Sequence, residues 1–134
     1  MVHYVGLLDG SGGVWGLRIP DLPGCHGGGE TAEAAIADAT SAAREWAEHR
    51  QGRGKTLPVA RPLSQIVRDG DIDLAAGEIA VMVPLLLDSG RSVRANLSLD
   101  ASLLTAIDEA ARARGLTRSA FVASAAREKI LAAT

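Results

Sequence analysis

The chain has 134 residues, 47% of them apolar but only 3% aromatic, and its net charge is −2. That length fits one ordinary domain or two small ones, no apolar run is long enough to span a bilayer, and so few aromatic side chains give no stacking platform for single-stranded nucleic acid. The opening "MVHYVGLLDG" lacks the basic-then-apolar build of a signal peptide, and the lone Cys25 cannot close an internal disulfide, so a reducing cytoplasm is the expected compartment.

The small net charge hides an uneven distribution. Residues 1–90 carry 7 basic against 12 acidic side chains, a net −5, while residues 91–134 carry 7 against 4, a net +3. Chance clustering of solvated charges is one explanation. Two modules with different partners, an acidic front at 1–87 and a basic tail at 91–134, is the other.

In chain order, "VHYVGLLDG" and "GVWGLRIPDLPG" read as strands joined by a Gly-rich turn, and "CHGGGE" as a third, short strand weakened by its glycines. "TAEAAIADATSAAREWAEHR" is helical, with Thr31 as its cap and Ala35, Ile36, Ala39, Ala42, Ala43 and Trp46 as its apolar stripe. The next stretch is irregular, with a helical turn around Leu63–Arg68. "IAVMVPLLL" then reads as a buried strand, in which Pro84 is tolerated only near the end or on a sheet edge. "DSGRS" is a hinge. In "RSVRANLSLD", Val93, Ala95, Leu97 and Leu99 alternate with Arg94, Asn96 and Ser98, which predicts a two-faced strand. Asp100 caps the next helix, with Leu103, Leu104, Ile107 and Ala111 on one face, and Gly115 stops it. Thr117 caps a last helix, whose inner face is Phe121, Val122, Ala125, Ala126 and Ile130.

A solitary strand leaves its backbone groups unpaired, and two short helices make a meagre core. Both deficits disappear if two tails associate, pairing their strands antiparallel over four helices. Arg94, Asn96 and Ser98 then line the outer face of a two-stranded ribbon. Such a ribbon fits the major groove, where arginine binds guanine and asparagine adenine. The start of the last helix, at Thr117, Arg118 and Ser119, is placed to hold a backbone phosphate. On "VRANLSLDASLLTAID", "ARARGLTRSAFV" and "AAREKIL" the tail resembles the ribbon-helix-helix family of bacterial repressors. The resemblance implies an obligate homodimer, DNA binding through those six residues, and no metal or cofactor.

The front is similar to the N-terminal domain of HicB-type antitoxins, through "IPDLPGC", the Gly-containing turn, the Ala/Glu-rich helix and "IAVMVP". This resemblance implies an α+β protein: a β-β-β-α-β, partly ribonuclease-H-like domain, then the ribbon-helix-helix module. It further implies that the protein binds and neutralises a small basic ribonuclease toxin of the HicA type and represses its own operon by binding operator DNA. The front's acidity agrees independently with a basic partner. Motif position alone assigns Pro20, Asp21, Leu22, Pro23, Gly24 and Cys25 to toxin contact; a rigid turn is an equal reading of that loop. Dimer and tetramer both stay open. The alternative function is a stand-alone repressor whose front oligomerises or senses a ligand.

Enzymatic activity is not expected. The front's strands offer almost no carboxylates for a two-metal nuclease site, and Asp69, Asp71 and Asp73 lack the remaining ligands of a calcium loop and read as a solvated turn. His3, His26, His49 and Cys25 have no zinc-site spacing. Cys25 and His26 point apart if they lie on one strand, so a packed cysteine is expected. Trp15 and Trp46 read as core residues.

Overall fold

A computed structural model describes residues 1–88 and 91–132, and the chain divides into two compact units, Met1–Leu87 and Asp88–Thr134. Two residues of the expected hinge, Ser89 and Gly90, lie outside the described residues.

The first unit is built on strands β1 (Val2–Ser11), β2 (Val14–Arg18), β3 (His26–Gly29) and β4 (Ile79–Leu85), with helices α1 (Ala32–Gly52) and α2 (Leu63–Arg68) between β3 and β4. The sheet order is β3-β2-β1-β4, and every neighbouring pair is antiparallel. Gly12 occupies the β1–β2 turn with φ +61°, a conformation glycine adopts without steric cost. Different elements cover the two faces of β1, so its alternation buries both. Tyr4 and Leu8 join Leu17 and Val83 in the main core, whereas Val5 and Leu7 pack with Ile66 of α2 in a second cluster.

Alanine and glycine set the distance between α1 and the sheet. Thr31 caps the helix as expected, its Oγ1 accepting from the Ala34 amide at 3.0 Å. Ala35, Ala39, Ala43 and Ala47, four residues apart, are fully buried, while Ile36, Ala42 and Trp46 are packed at the margin. A Cβ on Gly27 would lie 2.3 Å from the Ala39 nitrogen, and one on Gly29 would lie 2.6 Å from the Ala34 Cβ. The glycines of "HGGG" are thus a condition for close helix approach. β4 departs from its expected burial. Only Val83, Pro84 and Leu85 are buried, and Ile79 and Met82 are open to solvent. As an edge strand β4 has one neighbour, and there Pro84, opposite His3, is tolerated.

The second unit contains α3 (Ala101–Ala113) and α4 (Arg118–Ala132). The expected caps are present: Asp100 accepts from the Ser102 and Leu103 amides at 2.9 and 3.1 Å, and Thr117 accepts from Ala120 at 3.1 Å. Gly115, with φ +67°, ends α3. The expected strand is not formed. Residues 91–100 carry no secondary structure in the single chain and all are exposed, because one copy offers no second strand to complete a ladder. The helix faces expected to be inner are likewise uncovered. Ala111 is buried; Leu104, Ile107, Phe121 and Val122 are half-buried; Leu103, Ala125, Ala126 and Ile130 face solvent.

Candidate functional site

Within the second unit, residues 92–99 and the first half of α4 line one groove, which gathers Arg94, Asn96, Ser98, Arg118 and Ser119. Thr117 stands just outside it and has committed its hydroxyl to the helix cap. Arg118 and Ser119 are the first residues of α4, so their amides have no carbonyl one turn earlier to bind. The two arginines differ. Arg94 makes no hydrogen bond or ion pair among the described residues. Arg118 grips Asp108 of α3 with both arms of its guanidinium, Nε to Oδ1 and Nη2 to Oδ2, each at 2.8 Å. This fork holds the Asp108 carboxyl below the usual range and raises Arg118 further. The charge of the Arg118 side chain is thus matched inside the unit, while the phosphate site expected here draws on the amides at the start of α4. Arg127 likewise pairs with Asp88 at 2.7 Å, and Arg114 lies over the Phe121 ring.

In the first unit the Pro20–Cys25 loop is a closed turn. Ile19 donates to the Cys25 carbonyl, Leu22 to Ile19 and Cys25 to Leu22, at 2.9–3.1 Å. Leu22 and Cys25 are 0% and 5% exposed in the main core, and burial pushes the thiol up, which keeps it protonated and inert. The Asp21 carboxylate faces inward and accepts from the Arg61 backbone at 2.8 Å and from its Nε at 2.6 Å. Of the six residues expected to contact a partner, Asp21, Leu22 and Cys25 are thus turned to the interior, Pro20 is half-buried, and Pro23 and Gly24 are exposed. Trp46 braces the loop by donating to the Pro23 carbonyl at 3.0 Å, with Arg50 over its ring. Trp15 and Trp46 are half-buried at the core margin rather than enclosed.

Sequence reasoning missed two ionic networks. Arg61 joins Asp21 to Asp69 and Asp71, at 2.6 and 2.7 Å for the last two, so the supposed solvated turn is tied to an arginine. Arg18 forks onto the buried Glu78 at 3.0 and 2.8 Å, and this hydrogen-bonded cation, helped by the Asp73 amide that also donates to Glu78, holds its carboxyl low. The partners lie 40 and 60 residues apart, and no local spacing announces them. Among the described residues no group of His, Cys, Asp or Glu has the arrangement of a metal site, and no helix is long and apolar enough to cross a membrane.

Residues 4–126 match the family described as "HicB_like antitoxin of bacterial toxin-antitoxin system". The chain belongs to that family. No curated protein matches it. Among solved structures it is similar to the Burkholderia pseudomallei antitoxin HicB, with 29% identity over 97% of each chain and a TM-score of 0.54. It is also similar to antitoxin HicB3, with 28% identity over 97% of this chain and 98% of that one and a TM-score of 0.55. A HicA3 and HicB3 toxin–antitoxin complex shares the fold at 19% identity and a TM-score of 0.51, covering 65% of this chain and 99% of that one. In this HicB-like antitoxin, then, the exposed residues among those expected to contact a partner lie at the loop apex of the first unit and in or beside the groove of the second.

Proposed function

We propose that this antitoxin neutralises a HicA-type ribonuclease through residues 1–87 and represses its own operon through residues 91–134, which dimerise as a ribbon-helix-helix module on operator DNA. One observation carries the second half. The tail leaves Val93, Leu97, Leu99 and Leu103 exposed, and Ala111 is its only buried residue among those described. Exposed apolar area of this kind marks a surface that another molecule covers, and a second copy supplies both the missing strand and the missing core. Pairing residues 92–99 of two copies turns Arg94, Asn96 and Ser98 outward, where a duplex can be read. The first half is supported by family membership, by the charge of the front, and by the HicA3 and HicB3 complex among the similar folds. Pro23 and Gly24 are the exposed part of the proposed contact, with Pro20 half-buried beside them. An antitoxin family favours this reading over a stand-alone repressor.

Co-expression with a HicA-type toxin, sought as a small basic protein encoded in a neighbouring reading frame, tests the proposal. A stable complex that abolishes RNA cleavage by that protein, together with retarded migration of the operon's upstream duplex, is the expected result. A neighbour that neither binds nor is inhibited removes the first half, and a monomeric chain that ignores the duplex removes the second.

A further inference from the structure

Arg94 and Arg118 line the same groove, yet one is unpaired and the other is held by a carboxylate at both ends of its fork. We propose that Asp108 is a specificity-determining residue of the DNA-binding surface: it withdraws Arg118 from sequence-independent phosphate attraction and leaves Arg94 as the cation that meets the bases. The inference rests on the DNA-binding reading given above.

Cations that bind phosphates strengthen every complex, right or wrong, because each one releases counterions from any duplex. Specificity is the difference between the two affinities. A complex on unrelated sequence is held by phosphate attraction alone and can shift register to seat an added cation, whereas base contacts fix the register on the operator. A freed Arg118 therefore strengthens unrelated complexes more than the operator complex. A guanidinium closed on a carboxylate is nearly neutral at the distance of a phosphate. Moving Arg118 onto DNA would also strip its partner and leave a bare Asp108 beside a polyanion. Arg112, one turn further along α3, adds its field to keep Asp108 ionised and therefore paired. The strand side chains have no such restraint. Arg94, Asn96 and Ser98 are exposed, and Arg94 has no acidic partner among the described residues. The basic tail thus has fewer free charges than its composition suggests, since Arg127 too is paired, with Asp88.

Binding of the full-length protein to its upstream duplex, and to an unrelated duplex of equal length, is to be measured as a function of salt. Asp108→Asn keeps the side chain's shape and frees the Arg118 charge. Its log–log salt slope should steepen by about 0.9 per subunit, and the preference for the operator should fall about tenfold, because binding to the unrelated duplex strengthens more. Asp108→Glu should restore the wild-type slope. The double variant Asp108→Asn/Arg118→Gln removes both charges and should also match wild type, which provides a reading should the single variant fold poorly. A folded, dimeric Asp108→Asn protein with unchanged slope and preference would overturn the inference while leaving DNA binding intact. A double variant whose slope is shallower than wild type would do the same, because Arg118 would then be a working phosphate contact. Wild-type protein that binds neither duplex would instead sink the DNA-binding reading itself.

Discussion

The two units solve the problem of burial in opposite ways. In the first, both faces of β1 are covered, Ala34, Ala35 and Ala39 of α1 sit against glycines of β3, and two arginine hubs tie down irregular chain. In the second, the helices are well capped, yet Ala111 is the only buried residue among those described. Good local structure without enclosed apolar surface contributes little to stability, since most helical stability comes from packing. The front has the means to fold by itself; the tail has the elements of a fold but buries little within one copy, the deficit that the proposed dimer would make good.

That contrast can be broken most directly in the tail. Leu97→Asp puts a carboxylate on each strand where the proposed dimer is apolar, and burial of an unpaired charge costs several kcal/mol. Self-association followed by sedimentation should weaken at least about a hundredfold, equivalent to about 3 kcal/mol, while the front's unfolding transition stays in place. A dimer of unchanged strength would mean that the exposed row is not the interface. The converse change is Gly27→Val. With the new Cβ only 2.3 Å from the Ala39 nitrogen, overpacking should destabilise the front by about 3 kcal/mol in urea unfolding and leave sedimentation of the folded fraction unaltered.

Smaller effects sharpen the comparison. Arg94→Ala should weaken operator binding by about 1–3 kcal/mol and relax base choice, with no change in thermal stability, because Arg94 supports nothing in its own unit. Glu78→Gln should cost the front about 1–2 kcal/mol, the range of a charge-assisted hydrogen bond reduced by the exposure of Arg18. The sign of its pH dependence follows from the lowered carboxyl. Folding favours the ionised form, so the contribution of Glu78 is present above its ordinary value of 4.5 and disappears as pH falls through the lower folded value. Wild-type stability should therefore decline below about pH 4.5, and the Glu78→Gln variant should show a shallower decline in acid denaturation followed by circular dichroism.

Short-range rules account for what was legible in the chain. Thr31, Asp100 and Thr117 cap the helices they precede, Gly115 ends the one before it, and Pro84 marks an edge, since each of these acts within one turn or one ladder. The six-residue helix at Leu63–Arg68 is also where the pattern places it. The candidate site was legible only in part. Alternation gathers Arg94, Asn96 and Ser98 on one face, but nothing within reach of Arg118 in sequence shows that its charge is matched by Asp108, ten residues back on another helix.

By itself the sequence determined the order and type of the helices and of the front's strands, the caps, the contrast in charge between front and tail, and the family, because periodicity, turn chemistry and composition are local or additive properties. Only the tertiary structure decided which charges are free and which apolar faces are covered. It turned Asp21, Leu22 and Cys25 inward, made the glycine run a seat for α1, and left residues 91–100 without a partner strand. Ion pairing, close packing and strand formation each depend on what stands opposite in space, and that is fixed only when distant segments, or a second copy, meet.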